Sequence, residues 1–410
     1  MADDMLPESP SADAATSGPE DQYVVVARRY RPRGFDQLIG QDHVGRALRN
    51  AIETGRVGHA YLFTGARGVG KTSTARIFAK SLNNPDGASA TPDLDADTSR
   101  AIDEGEDVDV LEIDGASNRG IDEIRQLRSN IGVRPIRSRF KIYIIDEVHM
   151  LTAAAFNALL KTLEEPPEHV KFIFCTTDPE KIPITVLSRC QRFDFSPVSV
   201  EQIAGRLREI VENENASADN EALRLIARRA AGSMRDSQSL LEQVLSFSDG
   251  SLTAETVHSI LGTADDARLA AIADTLYQRD AAAAIASADQ ATISGIDAGQ
   301  LCEQMLGYFR DLMIATVGCD SEMLRHTSVA MHDDLVKQGK DWGLQTVLGI
   351  VAILDQTLTR IRQSVHGRVL LEAALVQICH LPDLQAIADL AGAIKGDAAA
   401  IQAVKKKSSP

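Results

Sequence analysis

The residues with the most specific chemistry form the glycine-rich run GARGVGKT at 65–72. This run fits G-x-x-x-x-G-K-[ST], in which backbone N–H groups wrap a β-phosphate, the lysine reaches the β/γ oxygens and the hydroxyl ligates Mg²⁺. Lys71 and Thr72 would take the last two roles, and the residues expected to line the site with them are Gly65, Ala66, Arg67, Gly68, Val69, Gly70 and Ser73. A chance glycine-rich turn is the alternative. The apolar run before the pattern and the helix-like run after it favour a nucleoside triphosphate site with Mg²⁺.

Two acids end another short apolar run, KIYIIDEVH at residues 141–149. Such a run is typical of a buried parallel strand whose carboxyl end carries chemistry. We expect Asp146 to hold the metal ion and Glu147 to orient the water that attacks the γ-phosphate. A surface acidic pair is the alternative. His149 has no His or Cys partner at ligand spacing, so a packing role fits it better than metal binding.

Three further positions can be interpreted either as ordinary structural or surface residues or as residues that act on the nucleotide. Thr177 ends the next apolar run and either contacts the γ-phosphate or the attacking water, or merely starts a turn. Arg189 is either a surface charge or a guanidinium that stabilises the transition state of phosphoryl transfer. The segment around Arg29 and Tyr30 mixes cations with aromatic rings, so it either covers a nucleotide base or forms a solvated basic arm.

The composition of the chain limits the classes of protein to which it can belong. The chain has 410 residues, 44% hydrophobic and 25% charged, which predicts a soluble globular protein of two to four domains. Five scattered cysteines without a C-x-x-C pair indicate neither a disulfide framework nor a zinc knuckle, and a reducing cytoplasm fits them. No run has membrane-spanning length and no signal peptide is evident, so we expect a cytoplasmic protein without membrane contact. The net charge of -15 argues against indiscriminate nucleic-acid coating, but it allows a local basic surface.

The elements that must position these residues alternate between strands and helices from about residue 22 to 197, which predicts an α/β domain. Residues 1–21 are rich in Pro, Ser, Ala and Asp and should be disordered. Residues 83–107 are expected to form an exposed insertion with at most a short helix. The chain beyond residue 198 is helical, and its later part predicts a helical bundle.

Several motifs occur together in a fixed order: RYRP at 29–32, GARGVGKTS, IDEVHML, LLKTLEEPP, TTDPEKIP, LSRC and GSMRDS. In this combination the chain resembles the gamma/tau family of bacterial DNA polymerase III subunits, which are clamp-loader AAA+ ATPases. The match spans about residues 23–381. It implies an α/β P-loop AAA+ ATPase domain at 22–197, a helical lid at 198–245, an all-α collar for oligomerisation at 246–385, and a C-terminal helix or flexible tail at 386–410.

The same resemblance implies roles for single residues. Thr177 would be sensor 1 and Arg235 the sensor 2 of the lid, while Arg189 would be an arginine finger that acts on the neighbouring subunit. The residues that would line a chamber around primed DNA are Arg119, Arg125 and Lys161, although by sequence alone a solvated face explains the two arginines equally well. The implied partners are delta-type and delta-prime-type subunits in a hetero-pentameric ring, the sliding clamp and primed DNA.

One departure from the family concerns zinc. The family usually carries four cysteines after the P-loop helix, and by alignment of the flanking motifs these positions hold Asn84, Asp93, Ala96 and Ser99. An amide and one carboxylate cannot replace four thiolates, so we predict that zinc is absent. The tail segments by which longer tau forms bind polymerase core and helicase are also expected to be absent.

Three functions remain to be weighed. The leading hypothesis is an ATPase motor that opens a sliding clamp and loads it onto primed DNA during replication. A non-catalytic, stator-like scaffold would not need both acids beside a phosphate loop. Another hexameric AAA+ DNA remodeller would share the loop and the acids but would not need a collar. No polymerase active site is visible, so a DNA-directed DNA polymerase label would describe the holoenzyme.

Overall fold

The computed structural model describes residues 24–118, 120, 130–247, 250–262 and 264–381. The expected disordered tail at 1–21, the C-terminal tail at 386–410, and the DNA-binding candidates Arg119 and Arg125 lie outside the described residues.

A five-stranded parallel sheet forms the centre of the first domain, in the order β2-β3-β4-β1-β5. Its strands are β1 (Ala60–Gly65), β2 (Val110–Asp114), β3 (Lys141–Asp146), β4 (Val170–Thr176) and β5 (Gln191–Phe195). β4 is buried throughout and β3 over its four central residues, as their unbroken apolar runs predict for strands covered on both faces. Parallel strands place their carboxyl ends at one edge, so the chain leaves Gly65, Asp146 and Thr176 on the same side of the sheet.

Of the helices in this part of the chain, α1 (Val26–Arg29) packs against the small helical domain described below. The others cover both faces of the sheet: α2 (Asp42–Glu53), α3 (Lys71–Leu82), α4 (Asp97–Glu104), α5 (Ala153–Glu164) and α6 (Ile184–Leu187), with short 3₁₀ turns at Phe35–Gln37, Val148–Met150 and Pro179–Lys181. Alternate residues of β1 enter opposite cores: Tyr61 and Phe63 pack with Phe78 of α3, whereas Leu62 packs with Phe156 of α5. The α/β domain expected from the sequence is confirmed.

The insertion after α3 is less exposed than the sequence suggested. Ile102 of α4 is buried in the core beside α3. The Nζ atom of Lys80, whose side chain is fully buried, lies 2.7 Å from Oδ1 of Asp103. Burial lowers the pKa of Lys80, while the bond to Asp103 acts in the opposite direction. The short helix allowed for in this insertion is therefore α4, which packs against the domain through a paired charge and an apolar contact, so the insertion is only partly exposed.

A small helical domain follows. Its elements are α7 (Val200–Asn213), β6 (Ser217–Ala218), α8 (Asn220–Arg229), α9 (Met234–Phe247), β7 (Ser251–Leu252) and α10 (Ala254–Leu261). β6 and β7 pair in parallel, and Leu252 and Val257 belong to the same core as Leu207 and Leu223. This core therefore continues to about residue 261, beyond the boundary at 245 that we expected, because the late β7 pairs back onto β6.

The remaining helices form the bundle expected from the sequence. They are α11 (Asp266–Tyr277), α12 (Ala281–Ile293), α13 (Ala298–Thr316), α14 (His332–Trp342), α15 (Leu344–Ile361) and α16 (Gly367–Cys379), with 3₁₀ turns at Ser321–Met323 and Val329–Met331. α13 is central and packs against α15 and α14. The fully buried Asp311 of α13 accepts backbone N–H bonds from Arg325, His326 and Thr327, which fastens the loop before α14. Among the described helices, none combines the length and apolarity needed to cross a bilayer.

Candidate nucleotide site

A cavity of about 430 Å³ lies between three parts of the chain: the glycine-rich loop at 67–73, the N-terminal arm at 25–41 and the small helical domain. Asp146 and Glu147 reach its wall from the carboxyl edge of the sheet, and Met234, Arg235 and Gln238 reach it from α9. Most of the residues predicted to bind the nucleotide therefore line one cavity, whereas Gly65, Ala66, Arg29 and Thr177 are not part of its described wall.

The loop owes its shape to glycines in left-handed backbone conformations. Gly68 has φ 76° and Gly70 has φ 101°, values that L side chains rarely adopt. The loop leads directly into the first turn of α3, where N–H groups without intrahelical partners favour an anion. Within this turn Lys71 is 6% exposed, and its Nζ donates to the carbonyls of Gly65 and Ala66 at 2.8 and 2.7 Å. Burial lowers the pKa of Lys71.

The two predicted metal ligands lie side by side. The Thr72 hydroxyl donates to Asp146 Oδ2 at 2.7 Å, and the other carboxylate oxygen accepts the backbone N–H of Glu147 at 2.9 Å. A hydroxyl and a carboxylate are oxygen ligands of the kind that Mg²⁺ prefers, and Mg²⁺ takes only one or two such ligands from protein beside substrate phosphates. The residues present therefore fit a magnesium ion.

Glu147 adopts a left-handed backbone conformation, with φ 43° and ψ 44°. Such a conformation is uncommon for a residue with a side chain, and strain of this kind clusters at functional sites. Its Oε2 accepts the Thr177 hydroxyl at 3.1 Å and lies 3.4 Å from Nδ1 of His149. His149 also contacts the Thr176 hydroxyl at 3.0 Å. Thr177 and His149, which follow adjacent strands, therefore orient the Glu147 carboxylate.

The small helical domain contributes Arg235. Its backbone N–H donates to the Gly68 carbonyl at 3.2 Å, which places the start of α9 directly over the phosphate loop. The Arg235 side chain is exposed and lines the cavity. Its guanidinium has no hydrogen-bond partner within the described residues, so it is available to a ligand.

Tyr30 and Arg29, the two nucleotide-binding candidates from the N-terminal arm, lie in different surroundings. Tyr30 lines the cavity, but its hydroxyl donates to Glu214 Oε1 at 2.7 Å, and Arg206 lies over its ring. Arg29 pairs with the same Glu214 at 2.6 Å and is not part of the described cavity wall. Its guanidinium therefore ties the arm to α7 rather than facing the nucleotide space.

Arg31 was not among the residues predicted from the sequence to bind the nucleotide. Arg31 lines the cavity beside Arg76, and burial together with the charge of Arg76 lowers its pKa. Arg76 is occupied by Glu112 and by the Asp103 carbonyl, whereas the Arg31 guanidinium has no hydrogen-bond partner in the described part of the chain. The available signal was Pro32, which disfavours helical backbone at the residue before it and so turns Arg31 out of α1.

Arg189 lies outside this cavity, two residues after the end of α6. Its Nη2 is 2.7 Å from Glu164 Oε1, and its Nη1 donates to the Thr185 carbonyl and the Ser188 hydroxyl. Ile184, in the same short helix, is 75% exposed. Lys161 is exposed on α5, one turn before Glu164.

Three of the four residues at the positions expected to hold zinc ligands in relatives are hydrogen-bonded to one another. Asn84 accepts the backbone N–H of Asp93 at 3.0 Å, and the Ser99 hydroxyl donates to the Asp93 carbonyl at 2.5 Å. Ala96 precedes α4. Hydrogen bonds therefore hold this loop in the described structure, and the absence of zinc stays a prediction.

Comparison with known families gives consecutive matches along the chain. Residues 40–199 match the DNA polymerase III delta subunit family, residues 202–250 match the ATPase lid domain of the DNA polymerase III clamp loader subunit, and residues 252–392 match domain III of DNA polymerase III subunits gamma and tau.

Curated proteins give the same result. The chain is 46% identical to DNA polymerase III subunit tau of Escherichia coli (strain K12), over 70% of this chain and 44% of that protein. It is 39% identical to subunit tau of Bacillus subtilis (strain 168), over 90% and 65% of the two chains. It is 40% identical to DNA polymerase III subunit gamma of Buchnera aphidicola subsp. Acyrthosiphon pisum (strain APS), over 70% and 79%. The chain thus spans less than two thirds of the length of these two tau relatives.

Proposed function

The chain belongs to the gamma/tau family of DNA polymerase III subunits, and on this premise we propose that it is an ATP-driven motor subunit of a sliding-clamp loader. In this role it binds ATP to open a sliding clamp, accepts primed DNA, and hydrolyses ATP to release the closed clamp during DNA replication. The observation that carries the proposal is the convergence of Lys71, Thr72, Asp146 and Glu147 on one cavity.

Each of these residues has a distinct task in the proposed hydrolysis. Thr72 and Asp146 would hold Mg²⁺, which would supply positive charge against the phosphate oxygens. Lys71 would add a cation at the same phosphates. Glu147 accepts a hydrogen bond from the attacking water, and Thr177 fixes the carboxylate by donating to its Oε2.

Four further arginines line the cavity without a hydrogen-bond or ion-pair partner for their side chains among the described residues: Arg28 and Arg31 from the arm, Arg67 from the loop and Arg235 from α9. Of these we assign Arg31 and Arg235 to the phosphates, because an arginine that is not already paired can make bidentate bonds to phosphate oxygens. Tyr30 would contribute its ring to the base side of the site, with its hydroxyl anchored on Glu214.

Arg189 is proposed as the finger that acts on the neighbouring subunit. Its position outside the cavity of its own chain supports this role, and so does the exposed Ile184 beside it, since an exposed large apolar residue is common at protein contacts. The neighbours would be delta-type and delta-prime-type subunits in a hetero-pentameric ring in the cytoplasm, joined through the helical bundle as a collar. Lys161 would contact the phosphates of primed DNA.

ATP hydrolysis measured with and without primed DNA, clamp and the other loader subunits tests this proposal. We expect hydrolysis that rises when all components are present. No hydrolysis in the complete assembly would favour the non-catalytic scaffold, whereas a homo-hexamer in a size measurement would favour a remodeller of another class.

The arginine finger has its own test. Rings that combine Arg189→Ala chains with Lys71→Ala chains should retain activity wherever an intact loop meets an intact finger. A finger that acts within its own chain predicts no such activity in the mixture, because every chain would then carry one defect.

A further inference from the structure

The contact between Glu164 and Arg189 joins the last residue of α5 to the residue that follows α6 by two positions. Glu164 Oε1 lies 2.7 Å from Arg189 Nη2, the length of a charge-assisted hydrogen bond. The Glu164 side chain is 51% exposed and that of Arg189 is 32% exposed. A pair this exposed contributes little to folding stability, so its geometry calls for another explanation.

The other edge of the guanidinium is also fixed. Arg189 Nη1 donates to the Thr185 carbonyl at 2.5 Å and to the Ser188 hydroxyl at 3.1 Å. A guanidinium carries five N–H donors in one plane, and these three contacts leave two donors for another acceptor. The plane of the group is thereby set from both sides before any ligand arrives.

Glu164 stands where the helix itself disfavours a carboxylate. The C-terminus of a helix carries the negative end of its dipole, where cations are stabilising and acids are not. Glu165 and Pro166 follow immediately, so no lysine or arginine of the same turn offsets the charge beyond Lys161. A carboxylate at this unfavourable position, with no gain in stability to explain it, indicates that Glu164 has a functional role.

We propose that Glu164 is a positioning residue for Arg189. It holds the guanidinium so that its two remaining donors face the γ-phosphate bound by the adjacent subunit. This inference rests on the proposed function, in which Arg189 acts across a subunit boundary. Holding the side chain beforehand lowers the conformational entropy lost when the transition state forms, because a free arginine occupies many rotamers.

If Glu164 restrained Arg189 instead of positioning it, removal of Glu164 would change the rate of ATP hydrolysis in the opposite direction. If the carboxylate restrained Arg189 away from the phosphate, removing it would speed hydrolysis in the assembly. A positioning role predicts slower hydrolysis instead. The direction of the change is therefore decisive.

The experiment measures ATP hydrolysis by the complete assembly of this chain, its co-loader subunits, clamp and primed DNA. We expect Glu164→Ala to lower kcat roughly tenfold. Glu164→Gln should lower it less, because the amide oxygen still accepts from Nη2. ATP affinity and thermal unfolding of the isolated chain should stay unchanged, since Glu164 touches neither its own cavity nor the core. A faster Glu164→Ala assembly would overturn the inference.

Glu165→Ala is the matched control. Glu165 is an exposed carboxylate at the same helix end, and its side chain has no hydrogen bond or ion pair within the described residues. Its removal should leave kcat unchanged. An equal loss in both variants would attribute the effect to net charge at the helix end and so overturn the positioning role.

A double variant separates this inference from the finger assignment. In an Arg189→Ala background, Glu164→Ala should cost nothing further, because the group it positions is gone. Full additivity of the two losses would overturn the inference while leaving the finger intact. If Arg189→Ala itself left the assembly at wild-type rate, the proposed finger would fail, and the role of Glu164 would fail with it.

Discussion

The hydroxyl of Ser233 lies directly over Gly68, so that a β-carbon added to this glycine would be 1.9 Å from Ser233 Oγ. Arg235 N–H donates to the carbonyl of the same glycine. The small helical domain and the phosphate loop therefore meet at a residue that has no side chain. Any movement of α9 relative to the sheet must change this contact and, with it, the position of the Arg235 guanidinium.

Gly68→Ala should accordingly weaken the link between α9 and the loop. The new methyl group would displace Ser233, and φ 76° at residue 68 adds backbone strain of about 1–2 kcal/mol for a residue with a side chain. We expect weaker ATP binding and slower hydrolysis, measured by titration with a fluorescent ATP analogue and by phosphate release.

Ser233→Gly provides the control, because it removes the obstructing hydroxyl. Ser233 accepts the backbone N–H of Asp236 at the start of α9, and glycine at such a position costs only a few tenths of a kcal/mol. The double variant should bind ATP better than Gly68→Ala alone. Identical defects in both backgrounds would mean that backbone strain, rather than the contact with Ser233, causes the loss.

Lys71→Ala should abolish ATP hydrolysis, since a methyl group cannot supply a cation at the β/γ oxygens. The fold should survive. Burial lowers the pKa of Lys71, so its charge is held at some cost to the folded protein, and truncation should leave the midpoint of thermal unfolding unchanged or higher. Lys337→Ala, at an exposed lysine of α14, is the matched control. Wild-type turnover in the folded Lys71 variant would contradict the phosphate role.

Glu147→Gln should preserve ATP binding and slow hydrolysis by about 10²-fold or more. The amide keeps the shape of the side chain and can still accept from Thr177, but it cannot draw a proton from water. Binding and single-turnover hydrolysis, measured on the same preparation, separate the two effects. Loss of binding at unchanged stability would instead indicate that the Glu147 charge organises the loop.

Purified protein should contain no stoichiometric zinc. Asn84, Asp93, Ala96 and Ser99 offer no thiolate, and the loop is closed by hydrogen bonds among three of them. Elemental analysis after dialysis is the measurement. About one zinc per chain would show that ligands from another part of the chain bind the metal.

The sequence predicted those site residues that lie at or just beyond the carboxyl ends of strands. Asp146 and Thr177 each come directly after an apolar run, and the loop that carries Lys71 begins at the end of another, so parallel pairing alone is enough to gather these positions at one edge. The pattern of strands in the sequence could not predict the side of the nucleotide cavity that α9 forms. Its placement depends on packing between domains, and only the resemblance to known clamp loaders singled out Arg235.

The arm shows a second limit of sequence reasoning. Arg29 and Arg31 are two residues apart and equally basic, yet one pairs with Glu214 and the other faces the phosphate loop. Nothing in composition separates them, because the difference arises from the end of α1 and from the distant α7. The continuation of the small helical core past residue 245 was not visible in the sequence for a similar reason, since the pairing of β6 with β7 joins residues more than thirty positions apart.

The arm also has a consequence for how the chain is made. Val26 is buried in the core of the small helical domain, and its N–H donates to Glu242, a residue 216 positions later. Ribosomes add about 5–20 residues per second, so α1 waits roughly 10–40 s after its own synthesis for its binding surface to appear. Throughout this interval Arg29, Tyr30 and Arg31 lack the framework that directs them, and the nucleotide cavity is complete only after the small helical domain has emerged.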